Sequence, residues 1–225
     1  MIEALRAGLT EATGIAISPI PIIAIILMLI SARARINAPL FVLGWMSGLV
    51  LTTSIGYFLI GTRNSGSDSS GPSDLSLMLK LVFGLLFAYL AIMQFRKRPR
   101  PGVEAHEPKL FSMIDTLPVF AALGLGVALA ALNVKNLPLA LSAGASMAGV
   151  DIGDGSAVVV ILLFSLIGSL TLILPTVIVL MLGDRVRSQI TDLKDWLLRH
   201  NAAIMVTLFT ILAAKSISGG LALLS

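Results

Sequence analysis

The sequence predicts an all-α polytopic membrane protein: six transmembrane helices forming two inverted three-helix repeats, with helices one and four broken. Three observations lead there. The 225 residues are 56% hydrophobic and 12% charged, whereas soluble domains average about 45–50% apolar and about 25% charged. Six apolar runs, at 7–30, 38–60, 75–95, 119–148, 156–182 and 201–222, each approach or exceed the ~20 helical residues needed to cross a hydrocarbon core. Two of them are interrupted at matching depths, by Ser18-Pro19-Ile20-Pro21 and by Asn133-Val134-Lys135-Asn136-Leu137-Pro138. A bilayer tolerates such breaks only where protein or a watery cavity satisfies the freed backbone.

The first run is too long for a signal-peptide core and has no small-residue cleavage site before Arg33 and Arg35, so it reads as a retained helix. Pro19 and Pro21 break it, and Thr13 and Ser18 are positioned to bond the opened backbone. The second run carries Gly44 and Gly48, a small-xxx-small face suited to close helix packing and one route to a homodimer. Gly61–Asp74 is polar and low in complexity, which predicts an external loop. The third run closes a first repeat over 1–95. A basic linker follows over 96–118, where Pro99, Pro101 and Pro108 disfavour helix.

The second repeat occupies 119–225. An odd number of crossings before it makes it enter from the opposite side, and matched breaks in two such halves are the best sequence pointer to a transporter's binding site. Its first helix holds Asn133, Lys135, Asn136 and Pro138. The next contains Gly168-Ser169 and Pro175, a candidate hinge. Over 184–200, Val186, Ile190, Leu193, Trp196 and Leu197 recur at helical spacing beside charged residues. That pattern predicts an interfacial amphipathic helix with Asp184 as its N-cap. The last run contains Lys215.

Lysine and arginine set the expected orientation. Loops after helices one, three and five carry eleven (Arg33, Arg35, Arg96, Lys97, Arg98, Arg100, Lys109, Arg185, Arg187, Lys194, Arg199), and the opposite side carries Arg6 and Arg63, with Lys80 just inside the third helix. The positive-inside rule places both termini outside and the basic loops in the cytoplasm. Anionic lipid beside that face accounts for the net charge of +4 without nucleic acid.

Lys135 is the sharpest chemical signal. A lysine at mid-membrane costs about 2.5–3.5 kcal/mol on the insertion scale, so its ammonium must face protein, water or substrate. Lys215 adds a second deep positive charge. Glu11 and Asp115, the nearest carboxylates, look peripheral. The inference is an anionic substrate group held by Lys135, Lys215 and amides freed around Ser18, Pro19, Pro21, Asn133 and Asn136. Without cysteine there is no thiol chemistry or disulfide. His106 and His200 are isolated, so no metal site is expected. No Walker A motif or carboxylate pair occurs, and neither an enzyme nor a cofactor is expected.

Gly14-Ile15-Ala16-Ile17-Ser18-Pro19-Ile20-Pro21-Ile22, Ser31-Ala32-Arg33-Ala34-Arg35, Gly44-Trp45 and Leu132-Asn133-Val134-Lys135-Asn136-Leu137 give the chain a resemblance to the lysine-exporter superfamily. That superfamily carries a proline motif in its first helix and an Asn-Pro-Lys motif in its fourth. More narrowly, the chain resembles the GAP family, also called sulfolipid-1-addressing or peptidoglycolipid-addressing proteins. Val134 stands where the superfamily motif has proline, and Pro138 lies four residues on. The resemblance implies an actinobacterial transporter in the cytoplasmic (inner) membrane that exports cell-envelope glycolipids or their precursors, membrane lipid being the substrate. Two alternatives stay open: a small-solute exporter of amino acids or ions, and a non-transporting assembly partner of envelope-lipid export machinery.

Overall fold

The computed structural model describes residues 1–61, 74–96, 117–150 and 152–221, and every element among them is helical. The expected external loop and basic linker lie almost wholly outside the described residues, as does Asp115. In chain order the helices are α1 (Ile2–Ala16), α2 (Pro19–Ile30), α3 (Ala34–Ile55, continued by a π-helical segment Gly56–Gly61), α4 (Asp74–Arg96), α5 (Val119–Ala131), α6 (Asn136–Ala148), α7 (Asp154–Leu182) and α8 (Arg187–Leu221). Both anticipated breaks are present: α1 and α2 meet at 57°, and α5 and α6 at 66°.

Three helices are individually long and apolar enough to cross a membrane, Ala34–Phe58, Gly155–Leu182 and Arg187–Leu221, and the bent pairs raise the count to five. Within α4 the apolar stretch is the shorter Leu81–Arg96. Exposed apolar stripes agree with a lipid environment: Val158, Leu162, Leu166, Leu170, Leu174 and Val177 recur along one side of α7. These are the features of a multi-pass membrane protein.

Proline placement explains where the broken helices restart. Pro19 opens α2, where a missing N–H costs nothing and the fixed φ suits a helix. Pro138, expected within the break itself, lies instead in the first turn of α6; the interruption is at Leu132–Lys135. Helix α7 continues through Pro175.

The segment 184–200 is corrected. A short 3-10 turn spans Gly183–Val186, entered through Gly183 at φ 59°, and the following helix runs unbroken for 35 residues to Leu221. At 1.5 Å per residue that is about 52 Å, against a core of about 30 Å. The amphipathic stretch is the first part of the last helix rather than an element of its own. Of its apolar face, Ile190 and Leu197 are buried, while Leu193 and Trp196 are exposed.

Compact packing units cut across the two chain halves. One unit comprises Met1–Gly61 with His106–Leu198, and the other Thr62–Ala105 with Arg199–Ser225. In the first, glycines bring backbones together. A Cβ on Gly44 would fall on the Leu123 carbonyl, one on Gly126 on that of Phe41, and one on Gly144 on that of Thr53, while Gly48 sits on Val127 and Ala130. The Gly44/Gly48 face is thus used inside the chain against α5, and a homodimer would need another surface. In the second unit Gly84 of α4 packs on Ile217 of α8, and Phe87 stacks on Phe209 with ring centroids 6.1 Å apart.

Within each unit the register of these contacts gives several helices their relative directions. Asn37 meets Leu117, Gly44 meets Leu123, and Gly56 meets Leu141, so α3 runs parallel to α5–α6. Gly8 beside Phe164 and Ala16 beside Thr171 make α1 parallel to α7. Gly8 beside Met147 and Gly14 beside Lys135 make α1 antiparallel to α6 and its entry. In the second unit, Gly84 beside Ile217 and Phe87 beside Phe209 make α4 and α8 antiparallel.

Candidate functional site

A helix that stops inside apolar surroundings leaves its last carbonyls without partners. At the end of α1 the Ile17 N–H still returns to Thr13 O. Pro21 has no hydrogen to donate to Ile17 O, and the chain turns away before Gly14 O and Ala16 O can be reached from α2. Side chains from much later in the chain answer them. Lys135 Nζ donates to Gly14 O at 2.6 Å and to Ile17 O at 3.2 Å, and Thr171 Oγ1 donates to Ala16 O at 2.7 Å. The ammonium also lies at the negative end of α1, where the helix dipole favours a cation.

Lys135 is 1% exposed and therefore does not snorkel to a surface. A protonated lysine has three N–H donors, two of which are engaged here. Its own amide donates to Asn133 Oδ1 at 2.9 Å, closing an Asx turn that carries the chain around the second break. Asn136, fully buried, donates Nδ2 to Leu129 O at 3.2 Å and thereby covers the end of α5 from within the same broken helix.

The breaks offer fewer amides than the sequence suggested. Prolines at the first and third positions of α2 leave Ile20 as the one N–H donor among its first three residues. In α6, Leu137 already donates to Asn133 O and Pro138 has no hydrogen. Carbonyls dominate the site, and the charge that answers them is Lys135. Ser18 is buried at the N-cap of α2 without a side-chain cap bond, and Thr13 bonds Leu9 O in its own helix, so neither satisfies the opened backbone as expected.

Ser18, Pro19, Pro21, Asn133, Lys135 and Asn136 converge where the two breaks meet. Lys215 belongs to the second packing unit, exposed on α8, with Ser218 Oγ donating to its carbonyl. Sequence reasoning missed Thr171, whose one faint signal is its place four residues before Pro175. It also placed Glu11 at the periphery, whereas Glu11 is 6% exposed on the side of α1 that carries Gly8 against Met147 and Phe164. At this depth Asn136 Oδ1, Thr53 Oγ1 and Ser165 Oγ are buried without hydrogen-bond partners. The contacts of Gly48 with Val127 and of Gly56 with Leu141 bracket Asn136, which puts it level with Thr52 and Thr53. Among the described residues no cluster suited to a metal ion occurs.

Chemically, the arrangement holds one buried ammonium from the second break against the backbone carbonyls at the end of α1. Residues 9–222 match the family model described as Sap, sulfolipid-1-addressing protein. No match was found among curated proteins or among solved structures.

Proposed function

Since the chain belongs to the sulfolipid-1-addressing protein family, we propose that it translocates an anionic envelope lipid, or a precursor of one, across the cytoplasmic membrane. The observation that carries this reading is the reach of Lys135 from one broken helix to the carbonyls of the other. An anionic headgroup arriving at that depth competes with Gly14 O and Ile17 O for the ammonium. Winning it releases the end of α1 and lets the angle at Ser18–Pro19 change. A ligand shifts a conformational equilibrium only by its differential affinity for the two states, and a phosphate or sulfate paired with lysine outmatches a neutral carbonyl.

The helix directions support two inverted repeats. Helices α1 and α6 run oppositely, α3 is parallel to α5–α6, α1 is parallel to α7, and α4 opposes α8. The division of basic residues puts the termini outside. A cysteine at Ser67 should be labelled from outside and one at Val103 should be protected; the reverse pattern overturns the orientation.

The near-complete burial of Lys135 also favours a second reading, a non-transporting assembly partner in which Lys135 is a permanent helix cap. Comparing surface-exposed with total extractable envelope lipid in cells with the protein, without it, and with Lys135→Met separates the two. Accumulation of lipid inside both mutant strains supports transport through the site. Normal delivery by the methionine variant assigns Lys135 to structure.

A further inference from the structure

At the end of the first unit that holds Arg33, Arg35, Arg185 and Arg187, a cavity of about 280 Å³ opens between the α2–α3 turn and the α7–α8 junction. Its walls divide by chemistry. Leu29, Val179, Leu180 and Ile190 are apolar, while Ser31, Arg35 and Arg187 bring a hydroxyl and two guanidinium groups. Arg187 Nη2 donates to Ile30 O at 2.9 Å, which ties the side chain across the mouth to the last turn of α2. The wall opposite is shaped by Gly183, whose φ of 59° lets the backbone turn sharply from α7 into the last helix.

We infer that this cavity is a binding site for the headgroup of an anionic amphiphile, of the phosphate- or sulfate-ester class, with the acyl chains leaving along Val179 and Leu180. Arginine presents a planar fork matched to tetrahedral oxyanions, and basic pockets between helices at the cytoplasmic boundary are where anionic headgroups bind. The site lies at the α2 end of the first broken helix, and Ile30 O links Arg187 to that helix directly. Occupation is therefore coupled to the segment whose other end meets Lys135. The proposal rests on the reading of the basic face as cytoplasmic and of the substrate as an anionic lipid, for which this is the loading site.

Lipid retention by the full chain tests it. The protein is purified in a mild detergent and its bound lipids are counted by native mass spectrometry. Four probes are offered separately: phosphatidylglycerol, a sulfated galactolipid, zwitterionic phosphatidylcholine and inorganic sulfate. One anionic lipid per chain should be retained, phosphatidylcholine not. The paired substitution Arg35→Gln with Arg187→Gln should weaken retention by about tenfold or more, the scale of losing charge-assisted hydrogen bonds. Ala32→Phe, which fills the cavity without changing charge, should weaken it comparably. Arg96→Gln with Arg199→Gln, an equal loss of charge at two residues that do not line the cavity, should leave it unchanged. Retention of phosphatidylcholine as firmly, binding of sulfate without either lipid, or equal retention by all variants overturns the site. Retention of phosphatidylglycerol but not the sulfated lipid, or the reverse, identifies the ester class. Lipid delivery in cells is a separate measurement. Retention lost in the arginine variant with delivery normal keeps the site but removes it from the transport path.

Discussion

The two helix breaks look alike in sequence and are completed in opposite ways. At the second break, Asn133 and Asn136 serve the backbone of their own helix, one taking the Lys135 amide and the other bonding Leu129 O. At the first, Gly14 O, Ala16 O and Ile17 O depend on Lys135 and Thr171, more than a hundred residues away. The second break is self-contained and the first is held from outside. A self-contained kink is a fixed part of the scaffold, whereas a kink held by a distant cation can be released by whatever attracts that cation more strongly. The moving part of this molecule is therefore expected at Gly14–Pro21, with its control on α5–α6.

The strongest way to break the comparison is Lys135→Met. Two opposing terms nearly cancel in stability: removing the charge recovers about 2.5–3.5 kcal/mol of insertion cost, and leaving two buried carbonyls without donors costs about 1–3 kcal/mol each. Folded protein should reach the membrane at close to parental levels while lipid delivery falls by an order of magnitude or more. Amide hydrogen exchange should rise in a peptide covering 14–22 and stay unchanged in one covering 129–137. Equal protection in the first peptide would show that Lys135 does not hold α1.

Asn136→Leu inverts the test. Leu129 O loses its partner, at a cost of about 1–3 kcal/mol, and exchange should now increase around 129–137 with 14–22 spared. Disturbance of both peptides would mean that the second break is not autonomous.

Thr171→Val keeps the shape and removes a single donor to Ala16 O, so about 0.5–1.5 kcal/mol is expected. Combined with Lys135→Met it should be non-additive, because both side chains serve one helix end. Additive thermal shifts would argue that the two bonds are independent.

The smallest effect is expected from Pro21→Ala. It restores an N–H four residues after Ile17, which competes with Lys135 for that carbonyl. The weaker 3.2 Å bond is the one relieved. Delivery should drop modestly, by about two- to threefold, a change of less than 1 kcal/mol, with stability unchanged or slightly raised. A faster transporter would show that straightening the first helix is the productive step.

Much of this was legible without coordinates. Composition and run length determine that the chain is helical and lives in a membrane; proline and asparagine mark the two interruptions to within a turn; and the local motifs carry the family. These are properties of neighbouring residues, where periodicity, missing donors and insertion cost act along the chain. Tertiary structure alone decided what each break rests on. The partners of Lys135 are backbone carbonyls, and since every residue has one, no pattern of side chains announces which are chosen. Thr171 sits in an apolar helix like any packing residue until Ala16 O is placed beside it. Glu11 changes from a peripheral carboxylate to a buried one because the face it shares with Gly8 is covered by α6 and α7. The Gly44/Gly48 face, equally suited to another chain, is taken by α5, and the stretch 184–200 has the moment of an independent surface helix yet continues without a stop into the last span. Local sequence sets which groups need a partner; only the long-range register of the helices determines who supplies it.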